Sequence, residues 1–269
     1  MLKNFFNKKQ QDDYNLNYDF KSINSIKKQA SDIAVFTGGF APSYRKCSSF
    51  LKKRKFDFII SADSGLEVLD NYNAELNKNL FLPDVILGDM DSLKNKSLIK
   101  KYCTLTKGKC LIEKFDSYKD FSDTELALIL AEKFKDKNTK VTLIGGSGGR
   151  LDHLIAVYDL FSSRIAPDFW LTSEQLLLKL KDSQTVSIMP KKNNSPVSIL
   201  RTTSSNKSGT LESSGFEWES PLFRKTGVPS LSNVIKKDFF ESRTPIRLKS
   251  SGADFVVCTD FNAKISFAD

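Results

Sequence analysis

The sequence predicts an α/β fold in which a mostly parallel, doubly wound sheet is followed by an antiparallel β-sandwich. From residue 31 to about 165, short apolar runs alternate with helix-length segments, as a doubly wound parallel sheet requires. After residue 166, short β-like runs follow one another closely between Gly, Asn, Ser and Pro, which is typical of a sandwich. We therefore divide the chain into an N-terminal extension (1–31), an α/β domain (32–165) and a sandwich domain (166–269).

Five runs rich in Ile, Val, Phe and Leu are the predicted strands of the α/β domain. Uninterrupted apolar runs of this kind are typical of strands that are covered on both faces. The strands are predicted at 33–38, 56–62, 84–88, 110–115 and 140–145. The helices are predicted at 43–55, 65–72, 92–102, 122–135 and 151–163. The fourth helix has the clearest signal, because Ser122 and Glu125 form an S-x-x-E capping box ahead of apolar residues at helical spacing.

Composition excludes several classes of protein. No stretch approaches the roughly 20 apolar residues that span a bilayer, and MLKNFFNKKQQ lacks the long apolar segment of a signal peptide. The four cysteines are scattered without a C-x-x-C pair, so we expect reduced thiols in a cytoplasmic protein. The net charge of +9 comes from dispersed lysines, which is typical of a soluble surface or of attraction for anionic ligands.

Acidic motifs follow the predicted strands in one order: ADSG at 62–65, GDMDS at 88–92, KDFSD at 119–123 and GGRLDH at 148–153. Ligands of an open parallel sheet bind beyond the carboxyl ends of its strands, which is where these motifs fall. Grouped carboxylates repel one another unless a cation lies between them. Mg²⁺ is commonly shared between one or two carboxylates and substrate phosphates. The sequence therefore predicts a metal–phosphate site.

Asp89 and Asp91 of the GDMDS motif have two interpretations. If the strand continues in extended form, both side chains point to one face, and Gly88 lets a ligand approach closely. Alternatively, the motif is an Asx turn in which Asp91 or Ser92 starts the next helix. For the D-x-D pair after an apolar strand we favour metal binding.

The KDFSD motif opens the best-predicted helix. Capping alone would explain Asp120 and Asp123, because carboxylates are favourable in the first turn of a helix. Beside the D-x-D pair, however, Asp123 would complete a three-carboxylate metal cradle and Lys119 would meet phosphate. Asp63 of ADSG either contacts substrate or caps the helix that follows it.

The segment GGSGGRLDH (145–153) is a glycine loop between a strand and a helix. It matches neither the P-loop nor the dinucleotide fingerprint, so a tight turn and a phosphate cradle of backbone amides both remain open. Arg150 would supply a forked donor to phosphate, and Asp152 would orient Arg150 or a substrate. His153, the only histidine, is expected to be structural and not a catalytic base.

Two features mark the β-rich half. Trp218 in FEWES is either a core residue, as most tryptophans in a sandwich are, or an aromatic face for a cationic ligand. The run PSLSN (229–233) is the other.

These motifs together resemble the thiamine pyrophosphokinases, over about residues 32–259. That family carries A-D-G-G, G-D-x-D-S, K-D-x-T-D and G-G-R-x-D-H in this order. Its later G-L-x-W and S-x-S-N segments match GFEW (215–218) and SLSN (230–233) more loosely. Ser64 stands where the family has glycine and Ser122 where it has threonine.

The resemblance implies transfer of diphosphate from ATP to thiamine, giving thiamine diphosphate and AMP. It also implies Mg²⁺ as cofactor and a homodimer with sites between the α/β domain of one chain and the sandwich of the other. By motif matching, the catalytic and metal-binding residues would be Asp89, Asp91 and Asp123. The residues that place nucleotide or thiamine would be Asp63, Lys119, Asp120, Arg150, Asp152, Trp218, Ser230, Ser232 and Asn233, with Trp218 stacking on the thiamine pyrimidine.

Two alternative functions remain open. One is a Mg²⁺-dependent diphosphokinase for another heterocyclic alcohol, such as a hydroxymethylpterin. The other is a basic nucleotide- or RNA-binding protein without catalysis, which would retain RNA in a salt-sensitive way. The D-x-D pair argues against the second, and we expect neither nucleic acid nor membrane as a partner.

Overall fold

The computed structural model describes residues 18–23, 29–202, 209–219 and 230–268. Within these ranges the strands are β1 (Ala30–Thr37), β2 (Phe58–Ala62), β3 (Val85–Gly88), β4 (Leu111–Lys114), β5 (Lys135–Ile144), β6 (Phe169–Leu171), β7 (Leu176–Leu180), β8 (Thr185–Met189), β9 (Val197–Arg201), β10 (Thr210–Ser214), β11 (Ser230–Asn233), β12 (Ile246–Ser251), β13 (Phe255–Thr259) and β14 (Lys264–Ala268). The α-helices are α1 (Tyr44–Leu51), α2 (Gly65–Leu76), α3 (Ser97–Leu105), α4 (Asp123–Lys133), α5 (Leu151–Asp159) and α6 (Lys237–Glu241). None of these helices has both the length and the apolar character needed to cross a membrane.

The predicted fold class is confirmed. One sheet has ten strands in the order β11-β9-β13-β7-β6-β5-β1-β2-β3-β4, and a second has four in the order β10-β12-β8-β14. Pairing is parallel from β6 through β4 and antiparallel elsewhere. Because β6 is parallel to β5 and antiparallel to β7, the large sheet runs without a break across the predicted boundary at residues 165 and 166.

Apolar residues on both faces of the parallel strands explain the uninterrupted runs in the sequence. In β1, Ala34 and Phe36 belong to the buried cluster that includes α1 and α2. Ile33 and Val35 point the other way, into the cluster that contains α4. Successive side chains of a strand face opposite sides, so a strand with helices on both sides must be apolar at every position.

The sandwich half shows the alternation expected of strands with one buried face. In β12, Ile246, Leu248 and Ser250 are buried while the residues between them are exposed. Leu178 of β7 and Ile188 of β8 lie in one buried cluster with Ile246 and Leu248, so the two sheets share a core.

Helix boundaries depart from the prediction at one place that matters for the site. Helix α3 begins at Ser97 and not at residue 92, so residues 89–96 form an irregular connection after β3. The predicted capping box of α4 is confirmed: the Glu125 N–H donates to Ser122 Oγ at 3.2 Å, and the Ser122 N–H donates to Glu125 Oε2 at 2.8 Å. This cap fixes the entry of α4, where Asp123 is the first residue.

Part of the predicted N-terminal extension packs against the α/β half. Phe20 and Ile23 are buried, and β1 begins at Ala30, before the predicted boundary. The rest of the extension, residues 1–17 and 24–28, lies outside the described residues.

Candidate active site

Three carboxylates meet at the carboxyl edge of the parallel sheet. Asp63 follows β2 and Asp89 follows β3, and these strands are parallel neighbours. Asp123 comes from the first turn of α4, which follows β4. Each contributes a carboxylate oxygen that lies within 4.8 Å of the other two. We call these three residues the acidic centre.

The backbone at this edge adopts conformations that leave room for the acidic centre. Gly88 has a φ of 134°, and a Cβ there would lie 3.1 Å from Asp63 Cβ and 3.2 Å from Asp123 Cγ. Asp63 and Met90 have φ values of 46° and 62°, in the left-handed region that bulky residues rarely occupy. Such conformations cost free energy and persist where the surrounding structure holds them in place, often at functional sites.

Lys119 joins two members of the acidic centre. Its Nζ lies 3.0 Å from Asp89 Oδ2 and 3.2 Å from Asp123 Oδ1, and the lysine side chain is only 12% exposed. One ammonium group thus contacts two of the three carboxylates. When all three are ionised, the centre keeps an excess of negative charge that favours a further cation.

The three carboxyl groups differ in acidity. Burial raises the pKa of Asp123 to about 6, although Lys119 opposes the shift. Burial likewise raises the pKa of Asp63. At Asp89 burial acts in the same direction, but hydrogen bonds from Lys119 and from the Asp91 N–H outweigh it and lower the pKa. Unequal pKa values within one group of carboxylates are typical of functional sites.

The donor set fits a hard divalent cation such as Mg²⁺. All three groups offer oxygen, which Mg²⁺ prefers. Asp63 Oδ1 is buried and accepts no hydrogen bond from any residue that the structure describes. A buried carboxylate oxygen without a donor is costly, and a bound cation would relieve that cost.

Asp91 and Asp120 are not members of the acidic centre. The expectation that Asp89 and Asp91 share one face of an extended strand is wrong, because β3 ends at Gly88 and Met90 turns the chain. The Asp91 N–H donates instead to Asp89 Oδ1 at 3.2 Å, which is the predicted Asx turn, although no helix starts there. Asp91 and Asp120 are both exposed, and their ligand-binding roles stay predictions.

The glycine loop after β5 packs against the loop after β1. The Gly146 N–H donates to the Gly38 carbonyl at 2.7 Å, and the Ser147 N–H donates to the Phe40 carbonyl at 3.2 Å. The Gly145 N–H donates to Leu171 O at 3.1 Å. These amides already have partners, so loop packing accounts for this part of the motif without a phosphate.

Arg150, Asp152 and His153 lie beside that loop on the protein surface. The expected contact between Arg150 and Asp152 is present: both carboxylate oxygens accept from the guanidinium, one of them from Nε at 3.2 Å. The two side chains are 71% and 62% exposed, and His153 is also exposed. The pair is therefore accessible to an anionic ligand.

Trp218 is not a core residue. Its side chain is 61% exposed, whereas the other tryptophan, Trp170, is 1% exposed and donates its Nε1–H to Gly145 O at 2.6 Å. The backbone of Trp218 is nevertheless fixed, since its N–H donates to Asn233 Oδ1 at 3.2 Å and its carbonyl accepts from Asn233 Nδ2 at 2.8 Å. The two motifs of the β-rich half thus form one structural unit that presents an indole to solvent.

Two serines of β11 lie beside Asn233 in the same strand. Ser230 is buried, with its Oγ 3.5 Å from Asn233 Nδ2. Ser232 is exposed, has a φ of 54°, and donates its N–H to Ser198 Oγ at 2.9 Å. The hydroxyl of Ser232 is therefore open to a ligand.

Residues 51–167 match the family model described as thiamin pyrophosphokinase, catalytic domain. The matched segment contains the whole acidic centre and Lys119. This segment, a little under half of the chain, is similar to the catalytic domain of the thiamin pyrophosphokinases. The N-terminal residues 18–23 and the Trp218 unit lie outside the matched segment.

Solved structures of thiamin pyrophosphokinases share the fold. The enzyme from Candida albicans aligns with a TM-score of 0.61 at 17% identity, over 85% of this chain and 89% of its own. The yeast enzyme aligns with a TM-score of 0.60 at 18% identity, over 88% and 87%. A thiamin pyrophosphokinase family protein from Enterococcus faecalis aligns with a TM-score of 0.58 at 17% identity, over 85% and 98%. No match was found among curated proteins.

Sequence reasoning placed Asp63 with the substrate and not with the metal. In this thiamin pyrophosphokinase fold, Asp63 takes the place in the carboxylate group that the sequence suggested for Asp91. The available signal was the position of Asp63 directly after a strand that neighbours β3. A second missed contact joins the end of β1 to α4, where the Thr37 and Thr124 hydroxyls lie 2.6 Å apart.

Proposed function

We propose that this protein transfers the diphosphate group of ATP to thiamine, giving thiamine diphosphate and AMP. The observation that carries the proposal is the acidic centre, built from three oxygen-donor side chains inside the segment that matches the thiamin pyrophosphokinase catalytic domain. The four cysteines are free thiols, which supports the cytoplasm as the location of the reaction.

In the reaction, one phosphorus–oxygen bond forms and another breaks. The thiamine hydroxyl oxygen attacks the β-phosphorus of ATP, and the bond from that phosphorus to the oxygen bridging the α-phosphorus breaks. AMP leaves with the bridging oxygen, and the hydroxyl proton passes to a carboxylate or to water. Negative charge shifts to the leaving oxygen, so positioning and electrostatic stabilisation provide most of the catalysis.

Asp63, Asp89 and Asp123 would hold Mg²⁺, which neutralises and aligns the triphosphate when bound. Lys119 is placed to act beside them. Its ammonium group lies between Asp89 and Asp123, so a short movement of its flexible side chain would bring it to a phosphate oxygen. Asp91 remains a candidate further ligand, although the geometry favours Asp63 for the third position.

Sheet topology supports an active site shared between two chains. The acidic centre follows β2 and β3, whereas Trp218 is tied to β11 at the opposite edge of the sheet. From β11 to β2 there are seven strand intervals, about 34 Å measured across the sheet at about 4.8 Å per interval. Thiamine stacked on Trp218 would therefore reach a nucleotide on the acidic centre of a second chain, in a homodimer.

Product analysis tests the reaction. The protein is incubated with ATP, Mg²⁺ and thiamine, and the products are separated by chromatography. We expect AMP and thiamine diphosphate in equal amounts and neither without Mg²⁺. Release of ADP would contradict the proposal, because it indicates transfer of a single phosphoryl group. Formation of AMP with a hydroxymethylpterin but not with thiamine would show that the pterin, and not thiamine, is the acceptor substrate.

Mixed dimers test the shared site. At low thiamine, we expect the Asp89→Asn chain to be nearly inactive and the Trp218→Ala chain to keep about a tenth of wild-type activity. The two chains are unfolded, mixed in equal amounts and refolded. Random pairing makes half of the dimers hybrid, and each hybrid has one site with both native residues, so we expect about a quarter of wild-type activity. If each chain holds a complete site, the mixture will show only the mean of the two parents.

A further inference from the structure

We propose that residues 18–23, the N-terminal strap, position the connection between β4 and α4 that carries Lys119 and leads into Asp123. This connection, residues 115–122, is called the Lys119 loop. The strap lies outside the segment that matches the family, so the inference concerns a feature of this chain. Its consequence for catalysis rests on the proposed function, whereas the structural coupling does not.

Hydrogen bonds from backbone N–H groups of the strap to a side chain of β4 attach the strap to this edge strand of the large sheet. Glu113 of β4 is buried, and its two carboxylate oxygens accept from the Lys21 N–H at 3.1 Å and the Ser22 N–H at 2.7 Å. Hydrogen bonds to an ionised acceptor are among the stronger ones in proteins. Glu113 lies only two residues before the Lys119 loop begins, so the strap is attached directly beside it.

Helix α4 holds the strap from the other side. The Lys133 ammonium donates to the Tyr18 carbonyl and lies 4.8 Å from the centre of the Phe20 ring. Phe20 and Ile23 are buried in the same cluster as the apolar face of α4. The strap thus spans from β4 to α4, the two elements that the Lys119 loop connects.

The Tyr18 ring clamps the two ends of the loop. It lies 5.6 Å from the ring of Phe115 and 6.0 Å from the ring of Phe121, both in edge-on geometry. Between these anchors, Asp116, Ser117, Tyr118 and Asp120 are exposed, and Tyr118 is 98% exposed. Contacts with the strap therefore hold the ends of a loop whose middle projects into solvent.

Lys119 is the one residue between the anchors that turns inward, to Asp89 and Asp123. Its ammonium position depends on where the loop ends are held. Asp123 follows Phe121 by two residues, so the same anchor also sets the start of α4. A loss of the Tyr18 ring would let the Lys119 loop move relative to Asp89, which directly follows a different strand, β3.

Hydrogen exchange tests the coupling without any substrate. In the Tyr18→Ala variant, we expect amides of residues 115–122 to exchange about tenfold faster, because their local opening no longer disrupts the aromatic clamp. Tyr18→Phe keeps the ring and is expected to match wild type. Lys21→Ala, an exposed side chain on the same strap, is the matched control and should also match wild type. The glycine loop, residues 145–149, serves as the internal reference.

Unchanged exchange of the Lys119 loop in Tyr18→Ala overturns the proposal. Equal acceleration in the loop and in residues 145–149 also overturns it, because that result reports general destabilisation. Both outcomes are independent of catalysis, so they are distinguishable from failure of the proposed function, which would appear as a wild-type protein that releases no AMP.

Kinetics test the consequence for the site. We expect Tyr18→Ala to lower kcat/KM for Mg-ATP about ten- to a hundredfold, as small displacements of positioning groups do, with the KM for thiamine unchanged. Tyr18→Phe should restore the wild-type value. A lower melting temperature with unchanged kinetics well below that temperature would show that Tyr18 only stabilises the fold, and would overturn the positioning role.

Discussion

The acidic centre and the Trp218 unit are both predicted to bind ligands, but they are built in opposite ways. The carboxylates of Asp63, Asp89 and Asp123 are largely withdrawn from solvent, with a lysine between two of them and left-handed backbone on either side. Trp218 exposes its indole, and hydrogen bonds from Asn233 hold its backbone. The first region is a group of largely buried charges, and the second is an exposed aromatic surface.

This difference shows where the two regions find their partners. A group of buried carboxylates is costly unless cations offset its charge, and Lys119 supplies only one positive charge, so the acidic centre favours a further small cation from solution. A large exposed aromatic side chain is typical of a surface that is covered by a ligand or by another protein. Under the proposed function, an ion would complete the first region, and a bound ring together with a neighbouring chain would complete the second.

The largest effect is expected from breaking the acidic centre. Asp63→Asn and Asp89→Asn should each lower kcat by about 10²- to 10³-fold, because each removes a charged ligand from the site where charge is neutralised. Asp91→Asn should have a smaller effect, since Asp91 lies outside the group. Steady-state AMP release measures all three variants.

Asp238→Asn, on the surface helix α6, is the control for loss of a carboxylate elsewhere and should keep wild-type activity. Circular dichroism spectra that match wild type would exclude unfolding of the variants. An Asp91→Asn variant that loses more activity than Asp63→Asn would reverse the assignment of the third ligand.

The next largest effects are expected from replacing the two tryptophans, one of which is buried and the other exposed. Trp170→Ala should lower the free energy of unfolding by about 3–5 kcal/mol, because it empties a buried site and removes a hydrogen bond. Trp218→Ala should change it by less than about 0.5 kcal/mol. Instead, loss of stacking should raise the KM for thiamine about tenfold, with Trp218→Phe close to wild type. Urea denaturation and thiamine titrations separate the two effects, and a large loss of stability in Trp218→Ala would contradict the exposed-surface description.

The smallest predicted effect is a pH dependence at Asp123. Its pKa of about 6 exceeds the usual 3.8, so the folded protein binds more protons than the unfolded chain between these pH values. The contribution of this carboxyl group to stability is therefore present at low pH and is lost as pH rises through about 6. From pH 4 to pH 7, Asp123→Asn should gain stability relative to wild type, on the order of 1 kcal/mol.

Denaturation without divalent ions at both pH values measures this difference, with Asp238→Asn as the control that shows no such trend. A difference between Asp123→Asn and wild type that stays constant from pH 4 to pH 7 would contradict the shift. Saturating Mg²⁺ should reverse the preference, because it binds the ionised carboxylate of the folded wild type.

Much of this arrangement could be predicted from sequence, because it follows from local patterns. Apolar runs covered on both faces predicted the parallel strands, and Ser122 with Glu125 predicted the start of α4. Backbone conformation could not be read in the same way. Nothing in a methionine indicates the left-handed φ of Met90, which ends the extended conformation before Asp91, and the third carboxylate of the group is Asp63.

Contacts between distant segments were also beyond local patterns. The pairing of Tyr18 with Phe115 and Phe121 joins residues about 100 positions apart, and apolar side chains in an irregular segment do not specify a partner. The exposure of Trp218 follows from the way Asn233 holds its backbone, which the spacing of the two motifs does not determine.

Strand β6 has a consequence for how this protein can be altered. It joins the α/β half and the sandwich half into one hydrogen-bonded sheet, and its Trp170 donates the indole N–H to Gly145 O after β5. Cutting the chain just before β6 and removing the sandwich half would leave the backbone groups of β5 unpaired on that side. It would also separate Trp170 from its hydrogen-bond partner Gly145. A chimera that replaces the sandwich half with that of another protein must therefore keep β6 paired with β5. For the same reason, the two halves of this protein should unfold in a single thermal transition.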